Sequence, residues 1–212
     1  RGLGRVMVGR RYLRGRSRLG CLDLRVRTVT SNVRPIASPQ TLEGVKLRPM
    51  KVPAHVATFD SLGAHPTPMH FGEVYSALQQ GVIDGQENPL AIITSQRFYE
   101  VQKYLSTTGH VFAVYMPVVS KPFFDSLSAE HQQLIRASMA RARAHQAELV
   151  AAEDASQLDE IRSAGVEVLE LTAEQRQAFA DQTESVRLQY RDEVGAEAYD
   201  AWVAAVGAAS GN

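Results

Sequence analysis

KLRPM (46–50), LGAHPTPMHFGEVYSALQQGVIDGQENPL (62–90) and FYEVQKYLS (98–106) lie in one stretch of the chain, and the punctuation of that stretch decides the fold. Residues 45–50 read as a short strand whose continuation is stopped by Pro49 and Pro53. Residues 54–62 have helical spacing, with Val56, Phe59 and Leu62 on one face and Gly63 as the C-terminal stop. Pro66 and Pro68 make the next segment an extended turn. Phe71, Val74, Tyr75 and Leu78 then fall at i, i+3, i+4 and i+7 of a second helix ended by Gly81. A brief strand at Val82 and Ile83 meets a sharp turn at Asp84 and Gly85. Asn88 is placed to cap a helix whose first position is Pro89 and which carries Leu90, Ile93, Phe98, Val101 and Leu105.

Working outward, residues 28–44 read as a strand end, a loop and a short helical turn, and residues 110–119 as an apolar strand. Residues 128–164 contain neither proline nor glycine, and Leu134, Leu149, Leu158 and Ile161 recur on a helical period. One unbroken helix of about 55 Å fits, at 1.5 Å per residue, and so do two ordinary helices broken near Glu153 and Asp154. Residues 166–171 alternate as a strand does, Thr172 and Gln175 form a capping box for a helix reaching Glu193, and a last helix covers 196–206. Helices alternating with short strands predict an α/β sheet covered on its faces by helices.

The 212 residues carry 23 basic and 23 acidic side chains, but nine arginines and one acid crowd into residues 1–27, leaving the rest acidic. No apolar run reaches the roughly 18 residues that a membrane-spanning helix needs. The single cysteine, Cys21, excludes an internal disulfide framework and a cysteine-rich metal site. The sequence contains no Gly-x-Ser-x-Gly elbow, His-Glu-x-x-His pair or phosphate-binding loop, and its six histidines lack metal-ligand spacing. No metal, cofactor or enzymatic activity is therefore expected.

Arg48 ends an otherwise apolar strand, so its guanidinium can be held at a strand end, where a planar fork of donors suits a carboxylate. Asn88 sits where a carboxamide and free backbone amides converge, and taken alone it is better explained as a plain N-cap, a role compatible with ligand contact. Phe71 reads as a pocket wall or as a core anchor, and Asp84 and Glu87 as turn residues. The arginine block admits a rival reading as an Arg-rich nucleic-acid-binding protein, although no basic patch downstream supports one. An enzyme of small-acid metabolism is a third reading, without a visible acid–base pair.

GVKLRPM (44–50), LGAHPTPMHFGEVYSALQQGVIDGQENPLA (62–91) and FYEVQKYLSTTGH (98–110), with AGVEVLELT (164–172), together resemble the solute-binding proteins of tripartite ATP-independent periplasmic (TRAP) transporters, the dicarboxylate and sialic acid receptors. The resemblance implies an α/β, periplasmic binding protein-like two-lobe fold with a long lobe-spanning helix, here mostly the second lobe. It implies that residues 28–112 and 155–212 build that lobe, and that 113–154, a crossing strand and the long helix, belong to the first. A signal peptide and a first lobe are expected upstream, so the chain reads as a C-terminal portion. The first 26 residues find no counterpart, and residues 1–27 read as a frameshifted or disordered segment. The implied function is a periplasmic receptor that clamps a small carboxylate ligand between lobes and delivers it to the membrane subunits of the transporter, with no nucleic acid involved. Carried over residue by residue, Arg48 pairs with the ligand carboxylate, Asn88 contributes from the DGQENP turn, Phe71 lines the pocket, and Arg27 matches a second arginine whose neighbours Arg25 and Val26 depart from the family pattern. The resemblance leaves oligomeric state and the identity of the acid open.

Overall fold

The computed structural model describes residues 14–210. In chain order the strands are β1 (Arg16–Arg18), β2 (Leu22–Val26), β3 (Thr28–Ser31), β4 (Lys46–Arg48), β5 (His65–Pro66), β6 (Gly85–Asn88), β7 (Tyr104–Ser106), β8 (Phe112–Tyr115), β9 (Val118–Ser120) and β10 (Glu167–Leu169). The helices are α1 (Pro53–Ser61), α2 (Val74–Gln79), α3 (Leu90–Ser95), α4 (Lys121–Ser126), α5 (Ala129–Ser163), α6 (Ala173–Gln182), α7 (Glu184–Gln189), α8 (Arg191–Val194) and α9 (Ala196–Ser210).

The chain divides into two compact units. The larger comprises Leu24–Ala113 and Val150–Val186, and the smaller holds the described residues up to Asp23, Val114–Leu149 and those from Arg187 onward. The larger unit is built on a mixed six-stranded sheet in the order β10-β7-β3-β6-β4-β5. β3 runs antiparallel to both neighbours, β6 and β7, whereas β4 is parallel to β5 and β6, and β10 is parallel to β7. One face packs Val29 and Leu47 against Phe59 of α1 and Phe179 of α6; the other packs Leu105 against Val74 and Leu78 of α2, Ile93 of α3 and Ile161 near the end of α5. Each such side chain contributes about 1.5–3 kcal/mol by leaving water, so helices covering both faces hold even these short strands in place.

The centre of this sheet departs from the sequence expectation. The strand lies not at Val82 and Ile83 but just beyond the turn, in Gly85–Asn88, all four residues of which are buried. Gly85 is demanded by close approach: a Cβ there would sit 2.2 Å from the Thr30 carbonyl oxygen of β3. Asn88 is consequently a strand residue, and Pro89 is the residue that caps α3. That helix ends at Ser95, and the expected continuation becomes a 3₁₀ turn at Phe98–Val101 followed by β7, with Leu105 in the core.

Two other expectations resolve differently. Residues 129–163 form one unbroken helix of 35 residues, about 50 Å long at 1.5 Å per residue. The helix after Thr172 breaks into α6, α7 and α8, although the capping box itself forms, Thr172 accepting from the Gln175 amide at 3.2 Å. In the smaller unit β1 pairs antiparallel with β9, and Phe124 of α4 is buried beneath the Arg136 guanidinium at 4.7 Å. Arg191 and Asp200 join α8 to α9 by an ion pair at 2.9 Å.

The unit boundaries differ from the expected 28–112 with 155–212. Residues from Arg187 onward group with 114–149, because an amphipathic helix reports that it buries a face without reporting which core it meets. Residues 16–18 and 22–26, expected to belong to a frameshifted or disordered segment, form β1 and β2. The first thirteen residues of that segment lie outside the described residues.

Candidate functional site

Arg48 closes β4, with Leu47 directed into one core and the guanidinium to the opposite face, as strand alternation requires. In register it stands beside Gln86 of β6, and Asn88, two positions further on, stands beside Thr28 of β3. Arg48, Gln86 and Asn88 therefore share a face of the sheet.

Arg48 is only 3 % exposed. Its Nη2 donates to the Met69 carbonyl at 3.0 Å, but Nε and Nη1 are buried and have no hydrogen-bond partner among the described residues. Burial lowers the guanidinium below its ordinary pKa, Glu87 opposes that shift and Arg27 adds to it. Beside it, the Phe71 ring centroid lies 6.0 Å from the Arg48 Cζ and 6.0 Å from the Phe98 ring, which it meets edge-on. Phe71 opens a 3₁₀ turn and remains 43 % exposed, so it is not the core anchor that helical spacing alone would suggest.

Arg27 lies in a different environment. Its amide donates to the Val111 carbonyl at 2.8 Å, pinning the residue between β2 and β3. Its Nε pairs with Glu87 Oε2, while Nη2 reaches Glu87 Oε1 at 3.0 Å, the Glu87 carbonyl at 2.6 Å and Asn88 Oδ1 at 3.0 Å. Asn88 in turn donates to Gln86 Oε1, Gln86 to Thr30 Oγ1 at 2.9 Å, and Thr30 to Gln102 Oε1 at 2.7 Å. This buried chain of amides and hydroxyls fixes which way the Asn88 carboxamide faces, since each donor has one acceptor to serve.

Glu87 is the residue that sequence reading placed wrongly, in a turn. It is fully buried, on the face opposite Arg48, and receives His110 Nε2 at 3.2 Å, while His110 Nδ1 lies 2.7 Å from Thr108 Oγ1. Burial alone would push this carboxyl up, but His110, His55 and Arg27 outweigh it and hold it well below the usual carboxylate range. Asp84, the other acid of the turn, bridges strands, accepting from the Lys46 amide at 2.8 Å. His70 is exposed. The signal for Glu87 was weak, because an acid inside a polar strand has no periodicity to reveal burial.

The cluster can orient and neutralise an anion. Among the described residues no group of His, Cys, Asp or Glu is arranged to hold a metal ion, and no helix is long and apolar enough to cross a membrane. A depression lined by Glu43, Leu62, His65 and Gln182 lies elsewhere in the larger unit and shares no residue with this cluster.

Residues 15–193 match the family described as bacterial extracellular solute-binding protein, family 7, and the chain belongs to that family of TRAP solute-binding proteins. The 2,3-diketo-L-gulonate-binding periplasmic protein YiaO of Escherichia coli (strain K12) is 41 % identical over 155 residues, 73 % of this chain and 47 % of that protein. A TRAP periplasmic solute binding protein from Ochrobactrum anthropi, solved with its C-terminus bound in the ligand binding pocket, superposes with a TM-score of 0.90 at 35 % identity, over 100 % of this chain and 66 % of that one. A second, from Shewanella oneidensis with bound succinate, gives 0.87 at 31 % identity, over 96 % and 69 %. The chain thus spans about half the length of the curated relatives it matches. The family match begins at residue 15, within the first 26 residues that were expected to find no counterpart.

Proposed function

We propose that this chain is the carboxylate-gripping portion of a periplasmic TRAP solute-binding receptor, which hands a small organic acid to the transporter's membrane subunits. One observation carries the reading. Arg48 is a buried cation with two guanidinium nitrogens that have no acceptor among the described residues, and each unsatisfied buried donor costs about 1–3 kcal/mol. A carboxylate supplies the missing acceptors and the opposite charge together, through short charge-assisted hydrogen bonds.

The other three residues take supporting parts. Asn88 offers a carboxamide whose orientation is set by Arg27 and Gln86, and Phe71 gives the apolar part of the ligand a ring to pack on. Arg27 is already engaged by Glu87 and acts chiefly by holding Asn88 in place. A relative named for binding 2,3-diketo-L-gulonate and a neighbour solved with succinate support an organic acid as the ligand. The family consists of binding proteins, and the site holds its guest without transforming it.

A crystal structure with a bound organic acid tests this reading. A ligand carboxylate oxygen is expected within about 3 Å of Arg48 Nε or Nη1. An acid bound elsewhere, with these nitrogens still bare, would overturn it.

A further inference from the structure

Gln102, just ahead of β7, begins the run of buried hydrogen bonds that ends at Asn88. The run has a direction, because a group that cannot reverse stands at each end. At one end the Val101 carbonyl can only accept, and it takes a hydrogen from Gln102 Nε2 at 3.0 Å. That turns Gln102 Oε1 toward Thr30, whose one hydroxyl hydrogen it receives at 2.7 Å. Thr30 Oγ1 is left with lone pairs for Gln86 Nε2 at 2.9 Å, and Gln86 Oε1 is left to accept from Asn88 Nδ2. At the other end Arg27 can only donate, and its Nη2 gives a hydrogen to Asn88 Oδ1 at 3.0 Å. Asn88 Nδ2 carries two hydrogens and has one acceptor among the described residues, so one N–H is left over. Asn88 shares its sheet face with Arg48, whose Nε and Nη1 are the other donors without an acceptor among those residues. The nearby oxygens already accept: the Met69 carbonyl from Arg48, and the oxygens of Gln86, Thr30 and Gln102 from the next member of the run.

We propose that Gln102, Thr30 and Gln86 are specificity-determining positioning residues: by ordering the run they make this face donor-only, so that it admits an acid with an oxygen acceptor beside its carboxylate and excludes one with an ammonium in that place. A hydroxyl, keto or second carboxylate oxygen accepts the remaining Asn88 hydrogen. An ammonium brings only hydrogens, and leaves both itself and Asn88 unserved. Gln102 sets the order from the far end of the run. Without its oxygen the Thr30 hydroxyl is free to donate to Gln86 instead, and the reverse order opens. The Asn88 atom beside Gln86 is then an oxygen, which can serve an ammonium. The inference rests on the carboxylate reading for its effect on ligand choice, and on the described hydrogen bonds alone for the order of the run.

L-Malate and L-aspartate place a hydroxyl and an ammonium on one dicarboxylate skeleton, and titration calorimetry with both on the full chain tests the choice. The wild type is expected to prefer malate by about tenfold or more, the size that one unserved buried donor produces. Gln102→Met is expected to show a preference several-fold smaller, with Thr30→Val as the second variant should the first not fold. Lost packing would move both affinities together, and repulsion between Arg48 and an ammonium is common to both proteins, so the change in ratio reports the run. Neutron diffraction from the ligand-free wild type reads the order directly: deuterium is expected on Asn88 Nδ2 toward Gln86 and on Thr30 Oγ1 toward Gln102. Equal affinity for the two acids in the wild type, a ratio unchanged in the variant, or deuterium in the reverse order overturns the proposal. Absence of binding by either acid counts against the carboxylate reading, and the deuterium positions then decide the order of the run by themselves.

Discussion

Arg27 and Glu87 form a buried ion pair in which the guanidinium grips both carboxylate oxygens and the backbone carbonyl of the same residue. Arg48, on the next strand but one, has a single acceptor among the described residues, the Met69 carbonyl. One arginine is satisfied by the fold, and the other keeps two buried nitrogens without a partner among the described residues. Residue type alone cannot make that distinction.

Arg48→Met should leave the ligand-free protein as stable as the wild type, or more stable by up to about 2 kcal/mol, because it removes a buried charge whose donors go unmet. Chemical denaturation without ligand measures this. A loss of several kcal/mol would mark Arg48 as structural.

Glu87→Gln should act in the opposite sense, costing about 3–5 kcal/mol at neutral pH by leaving Arg27 buried without its counter-charge. The pH dependence follows from the direction of the shift. The Glu87 carboxyl is held below its ordinary value, so its stabilisation is complete above about pH 4.3, the unfolded-state value, and is lost as pH falls from there through the lower folded-state value. Urea midpoints between pH 2 and pH 6 should fall on the acid side in the wild type and fall less steeply in the variant.

Gly85→Ala should disrupt the centre of the sheet, because the added methyl meets the Thr30 carbonyl at 2.2 Å and neither strand can move without breaking its ladder. Overpacking costs about 1–3 kcal/mol where side chains can adjust, so this substitution should reach or exceed that range. A thermal midpoint unchanged from the wild type would contradict the close approach.

Much of this was legible where chemistry is periodic or punctuated. Leu47 and Phe59, Val74 and Leu78, and the capping box at Thr172 declare themselves by spacing, and the proline-free, glycine-free run after Ser128 became one helix. β6 was not legible, because Gly85, Gln86, Glu87 and Asn88 contain no apolar residue and their burial depends on partners distant in sequence: Thr30, Gln102, Arg27 and His110. The same blindness put Asn88 at a helix cap. Its true position in the sheet follows only from pairing with Thr28, a contact across sixty residues that no local pattern records.

Arg48 is proposed to supply the charge that holds an organic acid. Isothermal titration of the wild type and of Arg48→Ala with succinate and with 2,3-diketo-L-gulonate tests it most directly. The substitution is expected to weaken whichever acid binds by about 2–5 kcal/mol, the range for removing one partner of a buried charge pair. Equal affinity in the two proteins would contradict it.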